Sequence, residues 1–199
     1  MRRSYNYNNT NCKIYASEGE KRWIEDIDLQ FCERPIPNFY KLAGKSSRVD
    51  VILRDGDIIE PESDLRIKAI RTAGHSTDCF SYLTENALFI GDAVPVKGDI
   101  PIFINEAETR KTLSIISQIP NVDIYYPAWD TAYDHGTMHS KLIEATDFVN
   151  TLKAAVTSCD NGCEITELAE QVCDYLKMPM LKANPLFTRT VACLREEAK

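Results

Sequence analysis

The sequence predicts an α+β chain in which the strands and most of the helices occupy separate stretches. Two observations carry this reading. From residue 48 to 127, short β-rich runs are separated by Gly, Asp, Asn and Pro, as in a sheet with tight turns. After about residue 138 the strand pattern stops, and apolar residues recur at three- and four-residue spacing. The length, 199 residues, suffices for one sizeable core or for one domain with a small appendage. Apolar residues make up 44% and charged residues 27%, as in an ordinary globular chain.

The elements follow in order. Residues 1–11, "MRRSYNYNNTN", are polar and read as a loop, and "CKIYA" reads as a short strand. Ser17 then opens a helix. Ser17 and Glu20 have capping-box spacing, and Trp23, Ile24 and Ile27 form an apolar stripe. "ERPIPNFY" holds two prolines and must be extended or looped. "RVDVIL" is a strand ending at "RDGD", a hairpin signal. In "DLRIKAIRT", Leu65, Ile67 and Ala69 alternate with charged residues, so one face is buried. "CFSYL" and "ALFI" are two more strands joined by "TEN", and "VDIYYPA" is another, closed by Pro127.

Between them, "NEAETRKTLSIISQI" reads as a helix with Asn105 as N-cap and Glu108 three residues on. Three helices end the chain. "HSKLIEATDFVNTLKAAV" puts Leu142, Ala145, Val149, Leu152 and Val156 on one face, and "NG" at 161–162 breaks it. "TELAEQVCDYL" aligns Leu168, Val172 and Tyr175. "NPLFTRTVACLREE" has Asn184 as cap and Pro185 at the first helical position.

The net charge of −7 disfavours nucleic acid as a partner, and Lys and Arg cluster nowhere beyond Arg2–Arg3. No run approaches the ~20 apolar residues of a membrane span. The seven cysteines are Cys12, Cys32, Cys79, Cys159, Cys163, Cys173 and Cys193. Their number is odd and no apolar secretory segment follows Met1, so free thiols in a cytoplasmic, reducing compartment are expected. Cys159 and Cys163 are four apart, which is not zinc-knuckle spacing.

The chemistry lies in "TAGHSTDCFSYLTENALFIGDAV". A Gly precedes both His75 and Asp92, each of which follows a strand. Two such residues can converge at one sheet edge, and imidazole with carboxylate suits zinc, iron or manganese. Two ligands alone do not make a zinc centre, which takes three protein ligands when catalytic and four when structural.

"DVILRDGDII", "LRIKAIRTAGHSTDCFSYL" and "LFIGDAV" resemble the second half of the metallo-β-lactamase superfamily, whose members run strand, "DGD" turn, strand, "GH", strand and "GD". The resemblance covers residues 12 to 199. It implies a partial αββα sandwich, mainly the second sheet with its flanking helices, over residues 1–138. The three C-terminal helices, 139–199, would form an extension. The resemblance gives His75 as the ligand of the "GH" motif and Asp92 as the metal-bridging carboxylate. The family's H-x-H-x-D-H cluster is absent, and the histidines are His75, His135 and His139. In "YYPAWD", Trp129 stands where the family has its last histidine, so Asp130 and His135 are the remaining candidate ligands. Tyr126 and Trp129 would line the mouth of the site.

In the complete family, a metal-bound hydroxide attacks an ester, thioester or related small-molecule substrate. Here the first half of the domain is expected to be missing, which would expose sheet residues such as Ile52, Leu65 and Ile67. Three readings follow: a fragment of a hydrolase, one piece of a split protein, or a degenerate member serving as an interaction module. "NYNNTN" before "KIYA" resembles the loop after the missing cluster, which favours a fragment. A metal is expected only if the site is completed. An exposed apolar sheet would self-associate or bind a partner chain.

Overall fold

A computed structural model describes residues 12–62, 64–128 and 130–196. The chain divides into two compact units, one up to Arg54 and one from Asp55 onward. In the first unit, β1 (Tyr15–Ser17) and β2 (Val51–Leu53) pair in parallel. Three short helices lie between them: α1 (Glu18–Glu25), α2 (Ile27–Glu33) and α3 (Phe39–Ala43). Ser17 caps α1 as the sequence predicts, its hydroxyl accepting from the Glu20 amide at 3.3 Å. Asp26 closes α1 and opens α2, its carboxylate accepting from the amides of Asp28 and Leu29.

The second unit holds a six-stranded sheet with its strands in chain order. These are β3 (Ile58–Glu62), β4 (Leu65–Arg71), β5 (Phe80–Thr84), β6 (Ala87–Gly91), β7 (Ile124–Pro127) and β8 (Tyr133–Asp134). β3 to β6 form an antiparallel meander. β6 and β7 are parallel, a pairing that needs a crossover, and α4 (Glu106–Gln118) provides it. Asn105 caps α4, accepting from the Glu108 amide at 2.8 Å. α4 and the first half of α5 (His135–Cys159) cover one sheet face, burying Leu88, Ile90, Leu113, Ile116, Tyr125 and Met138 together.

A second core forms where the later half of α5 meets α6 (Ile165–Tyr175) and α7 (Pro185–Glu196). Leu152, Leu168, Val172, Phe187 and Leu194 fill it, together with Phe103 from the segment before α4. Asn184 caps α7 as expected, accepting from the amides of Leu186 and Phe187. The aligned face of α5 is buried throughout, and the helix belongs to both cores. Residues 138 and 139, where the helical extension was expected to start, lie inside α5. Among the described residues, no helix is long and apolar enough to cross a membrane.

Several local expectations are corrected. "RDGD" turns the chain, but the strands on either side belong to different sheets. The cause is pairing with the end of β4: the Gly56 amide donates to Ala69, the Ala69 amide donates to Asp57, and the Asp55 carboxylate accepts from the Arg71 amide. The helix expected from His139 begins at His135, because Asp134 caps it by accepting from the Thr137 amide at 2.7 Å. Tyr175 is exposed, while Ala169 and Cys173 complete the buried face of α6. Ile52, Leu65 and Ile67 are half-buried rather than exposed. Ile52 belongs to the small sheet, and Ile67 has Ile59 beside it on β3. The exposed apolar residues of the sheet face turned from α4 and α5 are Phe89, Ile124 and Tyr126.

One buried ion cluster ties α4 to α5. The Glu106 carboxylate accepts from Arg110, one turn on, and from Lys153 on α5, each at 2.7 Å. Burial alone would push this carboxyl up, but the two cations outweigh it and hold it below its usual value. A lowered carboxyl pKa stabilises the fold above the unfolded value, about 4.3, and the contribution fades as pH falls through the folded value. Glu106→Gln is expected to cost about 2 kcal/mol at pH 7. Urea unfolding at several pH values should show the difference from wild type shrinking below about pH 4.

Candidate functional site

β4 and β6 each run antiparallel to β5, and β7 runs parallel to β6. Their C-terminal ends therefore open at one edge of the sheet, the place where ligands gather in sheets of this kind. His75 follows β4, Asp92 follows β6 and Asp130 follows β7. All three line one cavity of about 440 Å³, with Val94, Ile102 and Pro127 in its walls.

The His75 loop is laced to the start of α4. Gly74 has φ +130°, and a Cβ there would stand 2.8 Å from the Cα and N of Thr109 in the first turn of α4. Only glycine permits so close an approach. The Thr112 hydroxyl donates to the Ala73 carbonyl at 2.7 Å, and Arg71 pairs with both Asp78 and Glu108. Inside the loop, Thr72 and Ser81 share a buried hydroxyl–hydroxyl bond of 2.8 Å. His75 Nδ1 lies 3.1 Å from the Ile102 carbonyl oxygen. A carbonyl only accepts, so Nδ1 is the donor in this contact.

At the end of β6, Gly91 takes φ +54° and the Ala93 amide donates back to Ile90, closing a turn that leaves Asp92 exposed. The Ala128 amide donates to the Gly91 carbonyl at 3.1 Å and binds the two strand ends together. Asp130 is already committed to its own loop. It accepts from the Tyr133 hydroxyl at 2.6 Å and from the Thr131 amide at 2.7 Å. The Tyr133 bond, then the Thr131 amide, hold its carboxyl below the ordinary range. Burial, with Asp130 as acceptor, pushes the Tyr133 phenol up to about 12.

The other candidates lie elsewhere. His135 is the first residue of α5, exposed, and is not among the residues lining the cavity. Tyr126 stacks on Phe89 at 4.8 Å on the exposed sheet face, because alternation along β7 turns it away from the buried Tyr125. Trp129 lies outside the described residues. Among the described residues, no three His, Cys, Asp or Glu side chains come together to hold a metal ion. His75 and Asp92 are one donor short of the three in a catalytic zinc site; of the other two carboxylates lining the cavity, Asp99 accepts from the Ile100 amide and Asp130 from Tyr133. The donor set therefore does not fit a metal centre held by these residues alone. Sequence reading missed Ile102, whose role is played by its backbone carbonyl, which no side-chain pattern signals.

No family model and no curated protein matches the sequence. Solved structures do share the fold. A metallo-beta-lactamase family protein from Thermus thermophilus superposes with a TM-score of 0.67 at 16% identity, covering 94% of this chain and 67% of that one. A beta-lactamase domain protein from Burkholderia ambifaria gives 0.65 at 13% identity, over 94% of this chain and 59% of that one. A class B3 di-zinc metallo-beta-lactamase from an Alaskan soil metagenome gives 0.53 at 14% identity, over 70% of this chain and 62% of that one. The chain thus has the metallo-β-lactamase fold, over 59% to 67% of the length of these three neighbours.

Gly74→Ala tests the lacing of the histidine loop. The added methyl meets backbone, which cannot swing away, at a φ that favours glycine. Thermal unfolding is expected to show a loss of about 3 kcal/mol. A neutral substitution would contradict the close approach.

Proposed function

We propose that this chain carries one half of a hydrolytic site of the metallo-β-lactamase fold and by itself hydrolyses little. Its substrate class is the small ester or thioester. His75 and Asp92 are the residues it contributes, at the mouths of β4 and β6. The observation that carries this reading is the donor set: among the described residues, His75 and Asp92 line the cavity, Asp99 and Asp130 there accept from amides of their own loops, and no three such side chains come together, where a catalytic zinc needs three protein ligands. In this reading His75 and Asp92 orient a polar ligand, and Val94, Ile102 and Pro127 exclude water from its apolar part. The seven free cysteines suit a reducing compartment, the cytoplasm.

A second reading has the chain as a non-catalytic module or as one piece of a split protein. The stacked and exposed Phe89–Tyr126 pair, with Ile124 beside it, favours that reading. A sheet-bearing partner chain would cover such a face.

One purification tests both. The protein is incubated with zinc, desalted, and assayed for metal per chain, for hydrolysis of an aryl ester and a thioester, and for mass by sedimentation. Well under one equivalent of zinc and no hydrolysis above the His75→Ala control are expected. One tightly held equivalent, lost with turnover on His75→Ala, would overturn the main reading. A strict monomer at high concentration that binds no hydrophobic dye would remove the second.

A further inference from the structure

We propose that Cys159 and Cys163, on either side of the turn between α5 and α6, are a dithiol pair that a small disulfide such as oxidised glutathione converts reversibly to a disulfide bond. The bond fastens the end of α5 to the start of α6. Neither cysteine is among the residues lining the His75 cavity, so the pair is independent of the proposed hydrolytic role.

The free thiols differ in setting. Cys173 and Cys193 are sealed in the helical core. The half-buried Cys79 thiol donates to the Thr72 carbonyl at 2.9 Å. Cys12 and Cys32 are exposed. Cys159 and Cys163 are both half-buried, and both pack against the edge of the same helical core. A small disulfide can reach a half-buried thiol but not a sealed one.

Side chains draw the two cysteines into a tight turn. Cys159 is the last residue of α5, and Cys163 precedes Glu164, the N-cap of α6. Between them Gly162 takes φ +85°, a left-handed conformation that suits glycine. The Gly162 amide donates to the Asp160 carboxylate at 3.0 Å, and the Cys163 amide donates to the Asn161 side-chain oxygen at 3.1 Å. Arg195 of α7 grips both ends. Its Nε and Nη2 donate to the two oxygens of Asp160 at 3.0 and 2.8 Å, and its Nη1 donates to the Cys163 carbonyl at 2.8 Å. One planar guanidinium therefore holds the residue after Cys159 and the backbone of Cys163 side by side. Burial first, and then the neighbouring Cys163, push the Cys159 thiol up.

The exchange proceeds in two displacements. The Cys163 thiolate attacks one sulfur of oxidised glutathione, forms a mixed disulfide and expels one glutathione thiolate. Cys159 loses its proton to solvent, attacks the Cys163 sulfur and expels the second glutathione thiolate. The two protein thiols are oxidised, the glutathione disulfide is reduced, and the two protons released end on the glutathione thiols. Cys159 takes the second attack because it is intramolecular, where a high effective concentration offsets a small thiolate fraction.

Mass spectrometry of the intact chain tests this. The reduced, folded protein is incubated with oxidised glutathione, unfolded, alkylated and digested with trypsin. The fragment 154–177 holds Cys159, Cys163 and Cys173. It is expected to lose two hydrogens, with the bond between residues 159 and 163 and Cys173 alkylated, and dithiothreitol should restore the thiols. Cys159→Ser should leave glutathione on Cys163 at about ten times the wild-type level, because no second thiol displaces it. A wild-type fragment with both thiols free, or with glutathione retained on either, would overturn the proposal, as would a bond to Cys173. If the serine variant fails to fold, the wild-type fragment decides alone.

Discussion

The segment from Pro101 to Ile104 is held from two sides, and the site depends on that grip. On one side, the Ile104 amide and the Ile102 carbonyl bond to Gly74 and His75. On the other, Thr190 holds Pro101 and Phe103, and the Phe103 ring fills the helical core. Loops at strand ends are ordinarily the most mobile part of a domain. Here the histidine loop is tied, through residues 101–104, to the helical core. The terminal helices thus do more than extend the fold, because their core holds the wall of the cavity.

The same economy of hydrogen bonds explains why the cavity falls short of a metal centre. Asp130 faces it, yet its carboxylate satisfies the Tyr133 hydroxyl and the Thr131 amide. Turning to a metal would strand the hydroxyl of a largely buried tyrosine, at a cost of about 1–3 kcal/mol. His135, the nearest histidine in sequence, is taken up as the first residue of α5, with Asp134 as the cap. Local hydrogen bonding thus claims Asp130, and His135 is not among the residues lining the cavity.

Much of this was legible in the sequence. Capping side chains at Ser17, Asn105 and Asn184 marked helix starts correctly, because a cap is a local contract between a side chain and amides two or three residues on. The "GH" and "GD" stretches located His75 and Asp92 at strand ends, and the structure brings both to one cavity with Asp130. What stayed hidden was non-local. Nothing near "RDGD" announces that β2 pairs with β1 rather than β3. Which apolar residues stay exposed depends on neighbouring strands, so spacing alone does not single out Phe89 and Tyr126 over Leu65 and Ile67. One hold on His75 runs through a backbone carbonyl and a threonine more than a hundred residues away, and spacing cannot report such a pair.

In the proposed reading, His75 and Asp92 offer one imidazole and one carboxylate to a ligand. X-ray absorption at the zinc edge, on protein with a sub-stoichiometric load, counts the donors directly. One imidazole and otherwise oxygen neighbours, with water completing the shell, are expected. Two or more imidazoles from the same chain would contradict it, because among the described residues His75 is the one histidine lining the cavity.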